Sequence, residues 1–592
     1  MSIYTSLSSP VNHVSLGGIA ESIATGTPAA CQAIASEIQN RLERGPIVAA
    51  IDGGLGIPFQ KLADEILKHL PGVKANIVDV RDALKPAADI ANMVALYLPP
   101  AGDWGRVFDG KLADFFDHDL LADTQAQLQN TTAGLTLCIG PGAALSGLLE
   151  NCHLVIYADQ TRESLFNTHE GQSLPFFGTQ PGPASPDENL NRYCYVEGPV
   201  LDTHKRQILS FMSGYLSWNP PQESIYIPRR SYEALTARLG VAPMLFKTLY
   251  SPTAWGGNWQ KELKGLPQKM LNSGQGWIVP NENSLLVDWG GDILLDLPFL
   301  NLLWHATMPI LGDLATRVTR GQFPINYYYD DQIGGGHMAL QLHPDDVYIR
   351  THFNEPMRQD ESYYILHTGP DAKTFIGLKD EADINALRRQ AAESSVLGQP
   401  FDFEQHVRSV KTQAGDFILI PAGTIHASGA EQMVLEIDWV ITAYTPGYTF
   451  HVYDYIRPGL HGALRDIHIE RSFAALKDRR KAGLASLKQT PKVMREGEGW
   501  REMRIGRHPD MLFEVSRLEF NNEIGGRTEP EDSFHALSLV EGQQIEILAN
   551  DTGQVVTLDF PDTALLPASL HGYTLRSTNG QPCKVVKAVV CG

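Results

Sequence analysis

The stretch "HMALQLHPDDVYIRTHFNEPMRQDESYYIL" places Gln341 and His343 two residues apart, and the next apolar run opens on an acid, Glu361. Side chains alternate across a strand, so Gln341 and His343 share one face and Leu342 takes the other. Further on, "GDFILIPAGTIHASG" spaces Gly415, Pro421, Gly423 and His426 so that a strand enters, reverses through a Pro–Gly turn and returns with an inward-facing histidine. Three antiparallel strands can then bring an amide oxygen, a carboxylate and two imidazoles to one centre. Such a set suits Zn²⁺, or a related divalent ion such as Mn²⁺, Co²⁺ or Fe²⁺. The simpler alternative is that Gln341, His343 and His426 satisfy one another inside a barrel. The turn spacing favours the metal.

The elements that must position these residues follow from the pattern of the chain. Its 592 residues exceed one ordinary core, so several domains are expected. Residues 20–215 alternate helix-like and strand-like segments: "CQAIASEIQNRLERG", "PIVAAIDGG", "FQKLADEILKHL", "VKANIVDV", "MVALYLPP", "AGLTLCIG" and "CHLVIYAD". This rhythm predicts a doubly wound α/β domain over 1–235. From about 240 short strands dominate, interrupted by the helical insert "DEADINALRRQAAES", and predict an all-β cupin or jelly-roll domain over 236–470 that carries the metal. A helix in "RSFAALKDRRKAGLASLKQ" leads into a second, non-metal barrel over 471–592. There His571 stands without companion ligands and reads as structural.

Composition excludes some partners. The formal charge is −20, from 48 Lys and Arg against 68 Asp and Glu, and this repels nucleic acid and acidic membranes while leaving room for a local basic pocket. Six dispersed cysteines form no CxxC pair, the opening "MSIYTSLSSP" is no signal peptide, and no continuous apolar span is long enough for a membrane. A cytoplasmic protein is expected. The second barrel and the α/β domain each offer a surface for homo-oligomer formation.

Two resemblances sharpen this reading. "IDGGLGIPFQKLADEIL" resembles the phosphate loop of uridine-kinase-like P-loop kinases, but Pro58, Phe59 and Gln60 stand where the phosphate lysine and magnesium hydroxyl belong, and Lys61 is one place too far. The resemblance implies a degenerate kinase-like domain that binds a partner or supports its neighbour. Residues 240–592 resemble the class I mannose-6-phosphate isomerases of the cupin superfamily, through "LQLHPDD", "ESYYIL", "TFIGLK", "GDFILIPAGTIHASG", "MVLEI" and "HVYDYIRPG". The family's metal-binding Gln, His, Glu and His fall on Gln341, His343, Glu361 and His426. The resemblance implies one zinc ion, a small sugar-phosphate substrate and interconversion of mannose 6-phosphate and fructose 6-phosphate through an enediol.

The departures are specific. Gln359 and Asp360 replace the basic stretch before the metal-binding Glu, Gln275 and Ile278 replace two acids of an early segment, and His451 replaces an arginine, while Arg457 matches a second one. Candidates for moving the proton are His451 and Asp454, with Arg457 as charge partner and Lys379 as a weaker phosphate ligand. Glu436, on the apolar strand "MVLEIDW", either supports His426 through its second nitrogen or acts in the site itself. His337 reads as part of a turn. The rival reading is a catalytically silent sugar-phosphate-binding or regulatory cupin protein; a further one, with both domains active, is opposed by Phe59 and Gln60.

Overall fold

The computed structural model describes residues 3–591 apart from 7, 100–102, 133, 441–447, 480–482 and 529–531. It is a multidomain architecture, with a mixed α/β region first and β-rich sheets with helical inserts after it.

In the α/β region the parallel strands run in the spatial order Ala75–Asp79, Leu135–Ile139, Ile47–Gly53, Leu154–Asp159 and Gly214–Ser217. Ile225–Pro228 and Ala24–Thr25 extend this sheet in antiparallel fashion. The three central strands are buried along their whole length. Burial on both faces explains their continuous apolar sequence, since helices cover a parallel sheet on each side. On one face, Ile34 and Ile38 of helix Thr27–Leu42 and Leu62 and Ile66 of helix Phe59–Lys68 pack against Leu137 and Ile156.

One expected strand is not there. Met93 and Val94 of "MVALYLPP" instead end helix Ala87–Val94, in which Ile90 and Val94 are buried one turn apart, and a turn with the exposed Leu96 follows; Pro100 lies outside the described residues. An apolar run this short carries no period of its own, and the helical spacing upstream decides the outcome. The N-terminal stretch also crosses the expected division at 235. Tyr4–Thr5 pairs with Leu249–Ser251, and Val11–His13 pairs in parallel with Ser284–Asp288.

The middle of the chain forms two facing sheets. One runs Tyr4–Thr5, Leu249–Ser251, Gln275–Ile278, Ile325–Asp331, Gln432–Trp439, Glu361–Thr368 and Phe417–Ile420. The other runs Val407–Lys411, Lys373–Leu378, His426–Ser428, Leu340–Leu342 and Phe450–Tyr453. The C-terminal part has a four-stranded and a seven-stranded sheet around a separate apolar core that includes Leu537, Ile545, Leu575 and Val585. Met244–Leu245 joins the larger of these by pairing with Thr563–Leu566.

The long helix expected from Arg471 to Gln489 is shorter than its periodicity suggests. Helix Ile469–Ala475 ends where Leu476 turns extended and the Lys477 amide bonds the Gly423 carbonyl; a single turn follows at Leu484–Ser486. Docking against the turn before His426 thus overrides local helix propensity. All six cysteines are unpaired, and among the described residues no helix is long and apolar enough to cross a membrane.

Candidate metal centre

The short strand Leu340–Leu342 lies between His426–Ser428 and Phe450–Tyr453, so Gln341 is the direct neighbour of both His426 and His451. Glu361 comes from the facing sheet. Its Oε2 lies 2.8 Å from His343 Nε2 and 2.8 Å from His426 Nε2. The Gln341 amide nitrogen is 3.5 Å from His426 Nε2, and since the two ends of an amide interchange by a flip, either its nitrogen or its oxygen can face the centre. All four side chains are buried.

The backbone explains why they meet. Gly423 has φ +85°, a left-handed conformation that suits glycine, and its amide bonds the His343 carbonyl at 2.7 Å. Asp360 is buried between Arg358, at 3.0 Å, and the Ala422 amide, at 2.9 Å. It therefore ties the start of the Glu361 strand to the Pro–Gly turn. His426 Nδ1 faces the Thr424 carbonyl at 2.8 Å. A carbonyl only accepts, so Nδ1 carries the proton and the Nε2 lone pair points at the Glu361 carboxylate. Two lone-pair-bearing atoms at 2.8 Å require a proton or a cation between them. The residues present therefore fit a divalent metal: two imidazole nitrogens and one carboxylate oxygen converge on one point, with an amide beside them. Burial opposes ionisation of Glu361, but the imidazoles of His426 and His343 outweigh it and hold the carboxyl well below its ordinary range. Reciprocally, burial works against a charge on His426, yet the Glu361 carboxylate raises its pKa.

The other expected residues divide into two groups. Beside Gln341, His451 Nε2 faces Arg465 Nη1 at 3.3 Å, and its Nδ1 has no hydrogen-bond partner. Burial, followed by the charge of Arg465, keeps this imidazole well below its ordinary pKa, so it is neutral. Asp454 binds Arg457 and, at 2.8 Å, Arg465 Nε, while Arg457 also reaches the His337 carbonyl at 2.8 Å. His337 itself accepts the Ala430 amide, as part of the turn before the Gln341 strand. The approach loop 441–447, including the start of "TPGY", lies outside the described residues. Lys379 makes no hydrogen bond or ion pair with the cluster among the described residues; its amide bonds the His406 carbonyl.

Glu436 is in a different place from the one expected on His426 support. The Thr424 carbonyl occupies His426 Nδ1, and Glu436 instead faces a second group with Glu361 and Asp438. Burial first, then the neighbouring acids Asp438, Glu361 and Asp330, raises the Glu436 carboxyl well above its ordinary range. Asp438 is likewise raised well above, and Asp330 is pushed up to about 7, in both cases chiefly by burial. Gln359 and Gln275 hold this group: one donates to Asp438 at 2.7 Å and the other to Asp330 at 3.1 Å.

Sequence reasoning missed Arg465, Asp330 and Asp438. Glu436 and Asp438 are two apart on one strand, so alternation was the available signal for Asp438. Arg465 had none, because a bridge between Pro458 and Leu464 folds the chain back to place it beside Asp454.

In the α/β region, the glycine turn after Ile47–Gly53 is anchored internally. The Asp52 carboxylate accepts the amides of Gly53, Gly142 and Ala144 and faces His204 Nε2 at 2.9 Å. Gln60 bonds Asp64, Phe59 is buried and Lys61 points to solvent.

A family described as "Domain of unknown function (DUF8485)" matches residues 30–239. Mannose-6-phosphate isomerase ManA of Bacillus subtilis (strain 168) is 26% identical over 235 residues, 40% of this chain and 68% of that protein. Mannose-6-phosphate isomerase of Streptococcus mutans serotype c is 26% identical over 235 residues, 40% of this chain and 67% of that protein. Among solved structures, the mannose 6-phosphate isomerase from Bacillus subtilis aligns with TM-score 0.46 and 20% identity, over 59% of this chain and 99% of that one. The chain is a distant homologue of the mannose-6-phosphate isomerase family.

Proposed function

We propose that the chain is a divalent-metal-dependent aldose–ketose isomerase that interconverts mannose 6-phosphate and fructose 6-phosphate. The observation carrying this reading is the convergence of His343 and His426 on one Glu361 oxygen, with Gln341 alongside. These four residues would hold the ion, most simply Zn²⁺. When bound, it supplies Lewis-acid stabilisation of the negative charge that develops beside a sugar carbonyl, worth several kcal/mol in a dry site.

The chain's own groups supply the rest. His451 is neutral; the Arg465 guanidinium only donates, so Nε2 is the acceptor and the unpartnered Nδ1 carries the hydrogen, an N–H donor that can meet a sugar oxygen as the enediol forms. Arg465 lies against the other edge of that ring; burial first, and then its charge, keep the imidazole neutral at rest. Asp454 is held by two guanidinium groups; it positions Arg457 and Arg465 and is too well paired to act as a base itself. Arg465 is partly exposed and is the cation best placed to meet a phosphate.

A second reading, a catalytically silent sugar-phosphate binder, is favoured by Gln359, an uncharged residue bound to Asp438 at a position where the isomerase pattern is basic. Zinc analysis together with a coupled assay separates them. We expect Glu361→Gln and His426→Ala to lose both zinc and turnover, by at least about a hundredfold for removal of a metal ligand. Zinc binding without turnover in the wild-type protein would favour the silent binder, and absence of zinc would overturn both forms of the metal centre.

A further inference from the structure

We propose a second divalent-cation site behind Glu361, formed by Glu361, Glu436 and Asp438 with the amide of Gln359 and bordered by Asp330; it rests on the reading of Glu361 as a metal ligand. Three adjacent antiparallel strands build it. Tyr328 and Tyr363 are both direct neighbours of Glu436, so Asp330, Glu361 and Asp438, each two residues from a member of that row, lie on the same face as Glu436. Glu361, Glu436 and Asp438 each present an oxygen within 4.8 Å of the others. Glu361 belongs to both groups: its Oε2 faces the imidazoles, and its Oε1 has no hydrogen-bond partner.

An acidic wall alone would not define a site. The independent observation is Gln359, which is 7% exposed and whose amide reaches this group at Asp438. Its nitrogen donates to Asp438 Oδ2 at 2.7 Å, and its oxygen is buried without a partner. Asp438 Oδ1 and Asp330 Oδ2 are buried and unpartnered as well. Buried acceptors left in this state are destabilising, and no lysine or arginine forms an ion pair with Asp330, Glu436 or Asp438 among the described residues. Unsatisfied oxygens from carboxylates and one amide, without nitrogen or sulfur, are the donor set of a hard cation. Mn²⁺ and Mg²⁺ match it better than Zn²⁺, whose preference is met by the imidazoles.

The test uses the full chain loaded with one equivalent of Zn²⁺ and titrated with Mn²⁺, followed by the electron paramagnetic resonance signal of free Mn²⁺. The wild-type protein should take up one Mn²⁺ per chain. Asp438→Asn should retain zinc and lose Mn²⁺ uptake, and Gln359→Ala should weaken uptake about tenfold or more. If Asp438→Asn fails to fold, as judged by circular dichroism, Gln359→Ala decides. A zinc-loaded wild-type protein that leaves Mn²⁺ free, or uptake unchanged in both variants, overturns the second site and leaves the isomerase centre intact. A wild-type protein that takes no zinc sinks the isomerase centre and, with it, the shared role of Glu361.

Discussion

His451 and His426 are both buried histidines, with opposite electrostatics. His426 faces a carboxylate and gains proton affinity, whereas His451 faces Arg465 and loses it. The His451 shift has a consequence for stability. An unfolded histidine takes up a proton as pH falls through about 6.5, but folded His451 does not until well below that value. The unfolded state then binds more protons, so this contribution is present above pH 6.5 and is lost as pH falls, by up to about 1.4 kcal/mol per unit. Thermal unfolding of His451→Gln should therefore show a shallower acid-side loss than the wild-type protein, and parallel curves would refute that environment. Arg465→Gln should raise the KM for a sugar phosphate about tenfold or more, with a smaller change in kcat, if its charge serves binding; steady-state kinetics divides the two. The convergence of His343, Glu361 and His426 was legible because strand alternation and a Pro–Gly turn express it in spacing. Arg465 was not, because a hairpin return rather than a spacing brings it to Asp454.

The turn before His426 is the element on which the site depends. A Cβ at Gly423 would meet the Lys477 side chain at 2.6 Å and the Ala475 carbonyl at 3.0 Å, at a φ disfavoured for other residues. Gly423→Ala should destabilise the protein by about 1–3 kcal/mol and weaken zinc binding, measured by thermal unfolding with and without the metal. The same turn explains a mismatch between local pattern and structure. "RSFAALKDRRKAGLASLKQ" has helical periodicity, yet the chain leaves the helix after Ala475 to bond Gly423. "MVALYLPP" departs for the opposite reason, since its first two residues close a helix whose buried face lies upstream and a turn follows. The acidic row was only half legible: Glu436 stood out on an apolar strand, but Asp330 reaches it through a strand pairing a hundred residues distant in sequence.

Across the whole molecule, the α/β region and the metal-bearing sheets share buried polar contacts. Lys247 bonds Glu163 of the first region at 2.5 Å and Asp296 of the second at 2.6 Å, and Asn301 donates to Asp159 at 2.8 Å beside Lys205. Removing one partner from such a set leaves charges buried and uncompensated. Lys247→Met should cost about 3–5 kcal/mol in thermal unfolding; a loss under 1 kcal/mol would show the regions to be only loosely joined. The crevice at the ends of the parallel strands is lined by Gly54, Asp159 and Lys205 and closed by Asn281, Glu282 and Pro298 from the following region. The decisive measurement concerns the chemistry itself: zinc-loaded protein and mannose 6-phosphate in D₂O, followed by proton NMR. Fructose 6-phosphate should form with deuterium entering at its C1, and at C2 of the mannose 6-phosphate re-formed by the reverse reaction, stop on chelation and resume with added zinc. Zinc bound at one ion per chain with neither product nor exchange would contradict the assignment.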